Sequence, residues 1–203
     1  MLNWYDGHAR VLPWRSKPFE NPDPYHVWMS EVMLQQTTVQ AVIPYFEKFI
    51  NIWPTVQDLA KASQDDVMRE WAGLGYYSRA RNLHKCAKML VENYDSQFPS
   101  DVKMLKSLPG IGDYTSAAIS SIAFNIPATV IDGNIERVIS RLYRIDTPLP
   151  DSKPAIREVA DNLFIDKNIN RPSCFAQSLM DLGATICTPK NPLCSLQGKI
   201  ILS

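Results

Sequence analysis

Apolar residues recur along most of this chain at three- and four-residue intervals, the period of a helix with one buried face. "NWYDGHARVL" predicts a short first helix over 3–12. "PWRSKPFENPDP" breaks the pattern as a Pro-rich loop, and Pro24 suits the first turn of the next helix, "YHVWMSEVMLQQ". "TTVQAVIPYFEKFI" continues as helix, with a bend expected at Pro44. Thr55 and Ser63 stand as N-caps before "VQDLAKA" and "QDDVMREWA". "GLGYY" interrupts, and "SRARNLHKCAKMLVENY" then predicts a long amphipathic helix with Ala80, Leu83, Ala87, Leu90 and Val91 on one side. "DVKMLKSL", "TSAAISSIAF", "GNIERVISRLYRI", "KPAIREVADNLF" and "CFAQSLMDLGATIC" predict the remaining helices. No segment alternates in the manner of a strand, so the expected fold class is all-α.

Composition narrows the class. The 203 residues are 45% hydrophobic and 21% charged, ordinary for a globular protein with a real core. Lys plus Arg and Asp plus Glu both number 21, which argues against a highly basic nucleic-acid coat but not against a local binding face. The N-terminus lacks a signal-peptide pattern, and the longest uncharged run, 114–131, suits a buried helix and its exit better than a membrane span. Four cysteines without a secretory context imply no disulfide framework. The expectation is an intracellular protein without membrane contact, in the cytoplasm or nucleoid if bacterial.

Candidate chemistry begins at "LPGIG", 108–112, between two apolar helices. Gly110 and Gly112 are expected to permit positive φ and close backbone approach, and the following helix N-terminus favours an anion. Such a hairpin can hold a phosphate through amides, although a plain tight turn explains the same residues. Basic residues accompany it: Arg79, Arg81, His84 and Lys85 on one helix, and Arg137, Arg141 and Arg144 at i, i+4, i+7 on another, where a solvated face is the ordinary reading. Two carboxyls stand on apolar segments. Glu31 shares a helix face with Val27 and Trp28, where desolvation is expected to keep it protonated. Asp132 precedes "GNIERV"; spacing alone favours an N-cap to residues 134 and 135. Two carboxyls in unlike surroundings can also divide the acid and the stabilising role at a glycosidic bond.

Six stretches in order, "LPWR", "VWMSEVMLQQTTVQAVIPYF", "GLGYYSRARNLHK", "LPGIGDYTSAAI", "IDGNIERV" and "LMDLGATIC", resemble the MutY-type adenine DNA glycosylases of the helix-hairpin-helix superfamily. The resemblance spans nearly the whole chain. It implies two helical lobes with the active site in the cleft between them: a six-helix lobe over 16–127, and a second built from 1–15 and 128–203. It implies a monomer that removes adenine mispaired with 8-oxoguanine or guanine from double-stranded DNA. Family enzymes commonly carry a C-terminal domain that reads 8-oxoguanine; this sequence stops at Ser203, so the expectation is a catalytic region alone.

Residue by residue, the resemblance makes Glu31 the general acid for the extruded adenine and Asp132 the carboxylate that stabilises the oxocarbenium-like sugar. Arg10, Trp14 and Gln177 fall where the family lines the adenine pocket; surface charge, core aromatic and helix-face amide are their ordinary alternatives. Gln36, Thr37 and Tyr76 fall where the family contacts DNA, with Gln36 and Tyr76 wedging the duplex. Gly110 and Gly112 match the phosphate-gripping hairpin, where relatives often hold a monovalent cation. Tyr114 stands where bifunctional members place a Lys, so weak or no strand cleavage is expected. The family's iron–sulfur loop runs Cys, six residues, Cys, two residues, Cys, five residues, Cys. Cys187 and Cys194 match its first two ligands, but Gln197 and Ser203 replace the others, so no cluster is expected. Zinc lacks a four-ligand set. Cys86 and Cys174 read as buried thiols. The alternatives are a thymine-mismatch (G:T) glycosylase and a DNA-binding module without chemistry.

Overall fold

Short side chains that accept from the backbone set where several of the helices begin. The computed structural model describes residues 1–17 and 19–195, and every regular element among them is helical. α1 spans Leu2–His8 and α2 Pro24–Leu34, the latter opened by Asp23, which accepts from the Tyr25 amide. α3 is Val39–Ile52, capped by Thr38. α4, Val56–Lys61, starts in a capping box between Thr55 and Asp58, and α5, Gln64–Glu70, starts at Ser63, which accepts from the Asp66 amide. α6 is Ser78–Asn93, α7 Val102–Lys106 and α8 Asp113–Phe124. α9 (Gly133–Leu142), α10 (Lys153–Phe164) and α11 (Pro172–Thr185) complete the set.

Three boundaries differ from the sequence expectation. The first helix stops at His8 rather than near residue 12, because the Arg10 amide donates to the Asp181 carboxylate (3.0 Å) instead of continuing a helical ladder. The second apolar helix does not run on through "QQTT". Gln36 adopts φ 57° and Thr38 is extended, so α3 begins afresh. Val91 is 37% exposed, at the rim of the apolar stripe, whereas Ala80, Leu83, Ala87 and Leu90 are buried. Pro44 does lie inside α3, where its ring removes one backbone donor.

The chain forms two compact units. One comprises residues 11–16 and 21–119. Within it α6 packs on α4, α5 and α2, and α3 packs on α2. Its core holds Trp28, Phe49, Leu59, Trp71, Leu83 and Leu90, all essentially inaccessible to water. Each such side chain contributes about 1.5–3 kcal/mol of transfer free energy relative to an exposed position. The other unit comprises, among the described residues, 1–10, 17, 19–20 and 120–195. There α11 packs on α9, α1 and α10. Gly183 lets α11 approach α9 closely: a Cβ at 183 would lie 2.6 Å from the Asn134 Cβ.

Candidate functional site

The hairpin between α7 and α8 is anchored by Leu108 and Ile111, both buried, and closed by a hydrogen bond from the Ile111 amide to the Leu108 carbonyl (3.2 Å). Gly110 has φ +77°, and a Cβ there would stand 2.7 Å from the Asn82 Cβ, so this position needs glycine twice over. Gly112 departs from expectation. It does not adopt positive φ, and a Cβ there would meet nothing within 4 Å. Its carbonyl accepts from Ser116 as α8 begins (2.9 Å). Lys106 and Asp113 form an ion pair across the hairpin, with Asp113 in the acid-favouring first turn of α8. Tyr114 is half-buried in that same turn.

α2 is buried on nearly every side, and Glu31 lies within it at 7% exposure, with Val27 and Trp28 buried on its face. A carboxyl in an apolar helix is the feature the sequence suggested. At the C-terminal end of α2 the chain turns outward through Gln36, exposed and at positive φ. Tyr76 repeats this arrangement ahead of α6: φ 47°, 60% exposed. Non-glycine residues rarely hold this conformation unless their surroundings impose it.

Arg79 reaches both turns. Its guanidinium donates to the carbonyls of Val32 (3.3 Å), Met33 (2.6 Å) and Gln35 (2.5 Å) through one nitrogen. The other nitrogen donates to the Thr37 hydroxyl (3.0 Å) and the Leu74 and Gly75 carbonyls (3.2 Å each). The Trp71 and Tyr76 rings lie 5.3 and 5.4 Å from the guanidinium carbon. Burial draws the Arg79 pKa below the ordinary arginine value. The predicted basic cluster on α6 is therefore divided. Arg79 and His84 are buried, His84 against the Ala62 carbonyl (3.0 Å), while Arg81 and Lys85 are exposed.

Asp132 is the N-cap of α9, as its spacing suggested. One carboxylate oxygen accepts from the Ile135 amide (2.7 Å) and the other from the Asn134 side chain (2.9 Å). Arg137 in turn donates to the Asn134 side-chain oxygen (2.8 Å) and to the carbonyls of Gly183 and Cys187 (2.7 Å each). Arg141 donates to the Thr188 carbonyl (2.7 Å). Arg137, half-buried, and Arg141, exposed, thus staple the start of the tail to α9, and Arg144 of that run is exposed.

Arg10 is held by the fully buried Asp181, whose carboxylate accepts from its Nε (2.5 Å) as well as its amide. Sequence reasoning passed over Asp181; its position one helical turn beyond Gln177 was the available signal. Gln177 is buried and donates to the Ser173 carbonyl and hydroxyl (3.3 Å each). Trp14 is buried edge-on to Phe46, with centroids 5.4 Å apart.

Cys187 is buried and Cys194 exposed. Gln197 and Ser203 lie outside the described residues. Two thiols with an amide and a hydroxyl do not make the four-thiolate set of a standard cluster, so no chemistry is routed through one. Among the described residues, no group of three or more His, Cys, Asp or Glu side chains is placed to hold a metal ion. Burial pushes the Cys86 thiol up to about 12, which leaves it unreactive. No helix among the described residues is long and apolar enough to cross a membrane.

Known proteins share this fold and much of this sequence. Human adenine DNA glycosylase is 44% identical over 206 residues, which cover 96% of this chain and 36% of that protein. The enzyme of Buchnera aphidicola subsp. Baizongia pistaciae is 40% identical over 97% of this chain and 54% of its own length. The chain therefore spans between about one third and about one half of these relatives. A thermostable thymine-DNA glycosylase structure superposes with a TM-score of 0.79 at 29% identity, covering 96% of this chain and 87% of that one. A non-covalent endonuclease III–DNA complex superposes with a TM-score of 0.72 at 22% identity, covering 96% and 86%, a likeness of fold. Residues 29–163 match the HhH-GPD superfamily of base excision DNA repair proteins, and the chain belongs to that superfamily.

Proposed function

We propose that this chain is the catalytic region of an adenine DNA glycosylase, hydrolysing the bond between adenine and deoxyribose in double-stranded DNA where adenine is mispaired with 8-oxoguanine or guanine. The observation that carries the reading is the buried carboxyl Glu31 in a helix leading straight to an exposed turn at Gln36. The relatives at 40–44% identity, all adenine DNA glycosylases, support it. A base must leave the stack before its glycosidic bond is accessible. Gln36, Thr37 and Tyr76 would enter the duplex beside the vacated position, and the hairpin amides around Gly110 and Gly112 would grip a phosphate. The open face of Gly112 suits that approach.

In this reading Glu31 donates a proton to the Hoogsteen side of adenine, making it a neutral leaving group. Asp132 stabilises the positive charge that develops on the sugar, and Glu31, now a carboxylate, takes a proton from the attacking water. Arg10, Trp14 and Gln177 orient the base. Tyr114 offers no amine for a Schiff base, so the reaction stops at the abasic site with weak or no strand cleavage. The working form is a monomer on duplex DNA.

A second reading is thymine removal from G:T mispairs, favoured by the superposition on a thymine-DNA glycosylase. A single-turnover assay comparing A opposite 8-oxoguanine with T opposite G, with and without alkali, separates the two. Adenine release that needs alkali for strand breaks is expected, with a fall of about 100-fold or more in Glu31→Gln. Glu31→Gln at the parental rate would remove Glu31 from the chemistry.

A further inference from the structure

We propose that Arg79 is a positioning residue that locks the turns at 35–37 and 74–76 into one unit, so that Gln36 and Tyr76 enter the duplex together. The inference rests on the reading of those two side chains as DNA wedges.

The case is geometric. Both turns carry an exposed residue at positive φ, a conformation that relaxes when nothing holds it. One guanidinium reaches both. Its first nitrogen takes the C-terminal carbonyls of α2, which no helical amide can satisfy, and the Gln35 carbonyl beyond them. Its second nitrogen bridges the turns directly, donating to the Thr37 hydroxyl on one and to the Leu74 and Gly75 carbonyls on the other. None of these six acceptors is a carboxylate, so the charge is spent on ordering backbone rather than on an ion pair. The guanidinium carbon also lies over both the Trp71 and the Tyr76 rings, and the Trp71 Nε1 donates a hydrogen bond to the Gly75 carbonyl (2.9 Å). A side chain that merely filled the core would need neither the fork nor the second turn. Lysine keeps the charge and much of the stem but has a single nitrogen, which cannot bridge both turns in this way.

The test uses Arg79→Lys beside Tyr76→Ala and the double variant, on an A:8-oxoguanine duplex. Arg79→Lys is expected to bind undamaged duplex within about threefold of the parent. Its single-turnover adenine release is expected to fall about tenfold or more, together with the fluorescence rise of 2-aminopurine placed in the adenine position. Because Arg79 acts through the wedges, the double variant should be no slower than the slower single variant. Multiplying defects, or slowed release with an unchanged fluorescence rise, would overturn the proposal. Hydrogen exchange on the unaltered protein decides the same point should Arg79→Lys not fold: amides of 35–37 and 74–76 should open as one unit, and independent opening overturns it. Exchange also separates this inference from the functional reading. If the parent releases no adenine, the glycosylase assignment falls, while coupled opening still upholds the clamp.

Discussion

Asp132 performs a structural task that would mask a catalytic one in a careless experiment. Its carboxylate caps α9 through the Ile135 amide, so truncation to Ala would cost about 1 kcal/mol of stability before any chemistry is considered. Asparagine caps nearly as well and carries no charge. Asp132→Asn is therefore expected to shift stability by less than about 1.5 kcal/mol, while adenine release slows about 100-fold or more. Thermal unfolding and single-turnover rates on the same preparation check this; parallel, modest losses in both would reduce Asp132 to a cap. The cap itself was legible, because Asp before Gly-Asn-Ile is a local pattern. What the arginines do was not. Arg79, Arg137 and Arg141 read as basic stripes, yet each turns to backbone carbonyls supplied by distant segments. Sequence spacing reports which face of a helix a residue occupies, not which distant carbonyls will be waiting there.

At the scale of elements, boundaries followed chemistry that is local and departed from it where a distant partner intervened. Thr55 and Ser63 start α4 and α5 as their hydroxyls suggest. α1 ends early because Asp181 claims the Arg10 amide, and the helix before Gln36 stops where Arg79 takes its carbonyls. The hairpin between α7 and α8 shows two glycines that look alike in sequence and differ in kind. Gly110→Ala meets both a left-handed backbone and the Asn82 side chain, and is expected to destabilise the protein by about 1–3 kcal/mol. Gly112→Ala meets neither. It should leave the unfolding midpoint nearly unchanged, while its methyl group stands in the path of a phosphate and weakens duplex binding about tenfold. Paired unfolding and binding titrations test the contrast. Equal duplex affinity in Gly112→Ala and the parent would take the phosphate grip away from this turn.

For the molecule as a whole, charge balance and the use of arginines point the same way. Positive and negative side chains are equal in number, and Arg79, Arg137 and Arg141 are committed to carbonyls. In the proposed complex, phosphate contact would be shared between the hairpin amides and a subset of the exposed cations, such as Arg81, Lys85 and Arg144. The logarithm of duplex affinity should fall against the logarithm of salt with a slope of about −2 to −4, the release of few counterions. A slope near −8 in a binding isotherm series would show a basic surface that this picture lacks. The all-helical class and superfamily were both within reach of the sequence, because helical period and the "LPGIG" and "IDGNIERV" stretches are dense signals. The coupling of segments far apart in the chain was not, since a guanidinium binding carbonyls leaves no pattern of its own.

One such coupling has a consequence for how this protein can change over time. Asn134 steadies the Asp132 carboxylate, and the backbone at 183 comes so near Asn134 that no side chain fits between them. The place of that carboxylate therefore depends on a lone hydrogen atom about fifty positions further along the chain. Chemistry does not restrict residue 183, since glycine offers no functional group; room does. Position 183 therefore inherits a strict limit on size, set by a carboxylate on another helix.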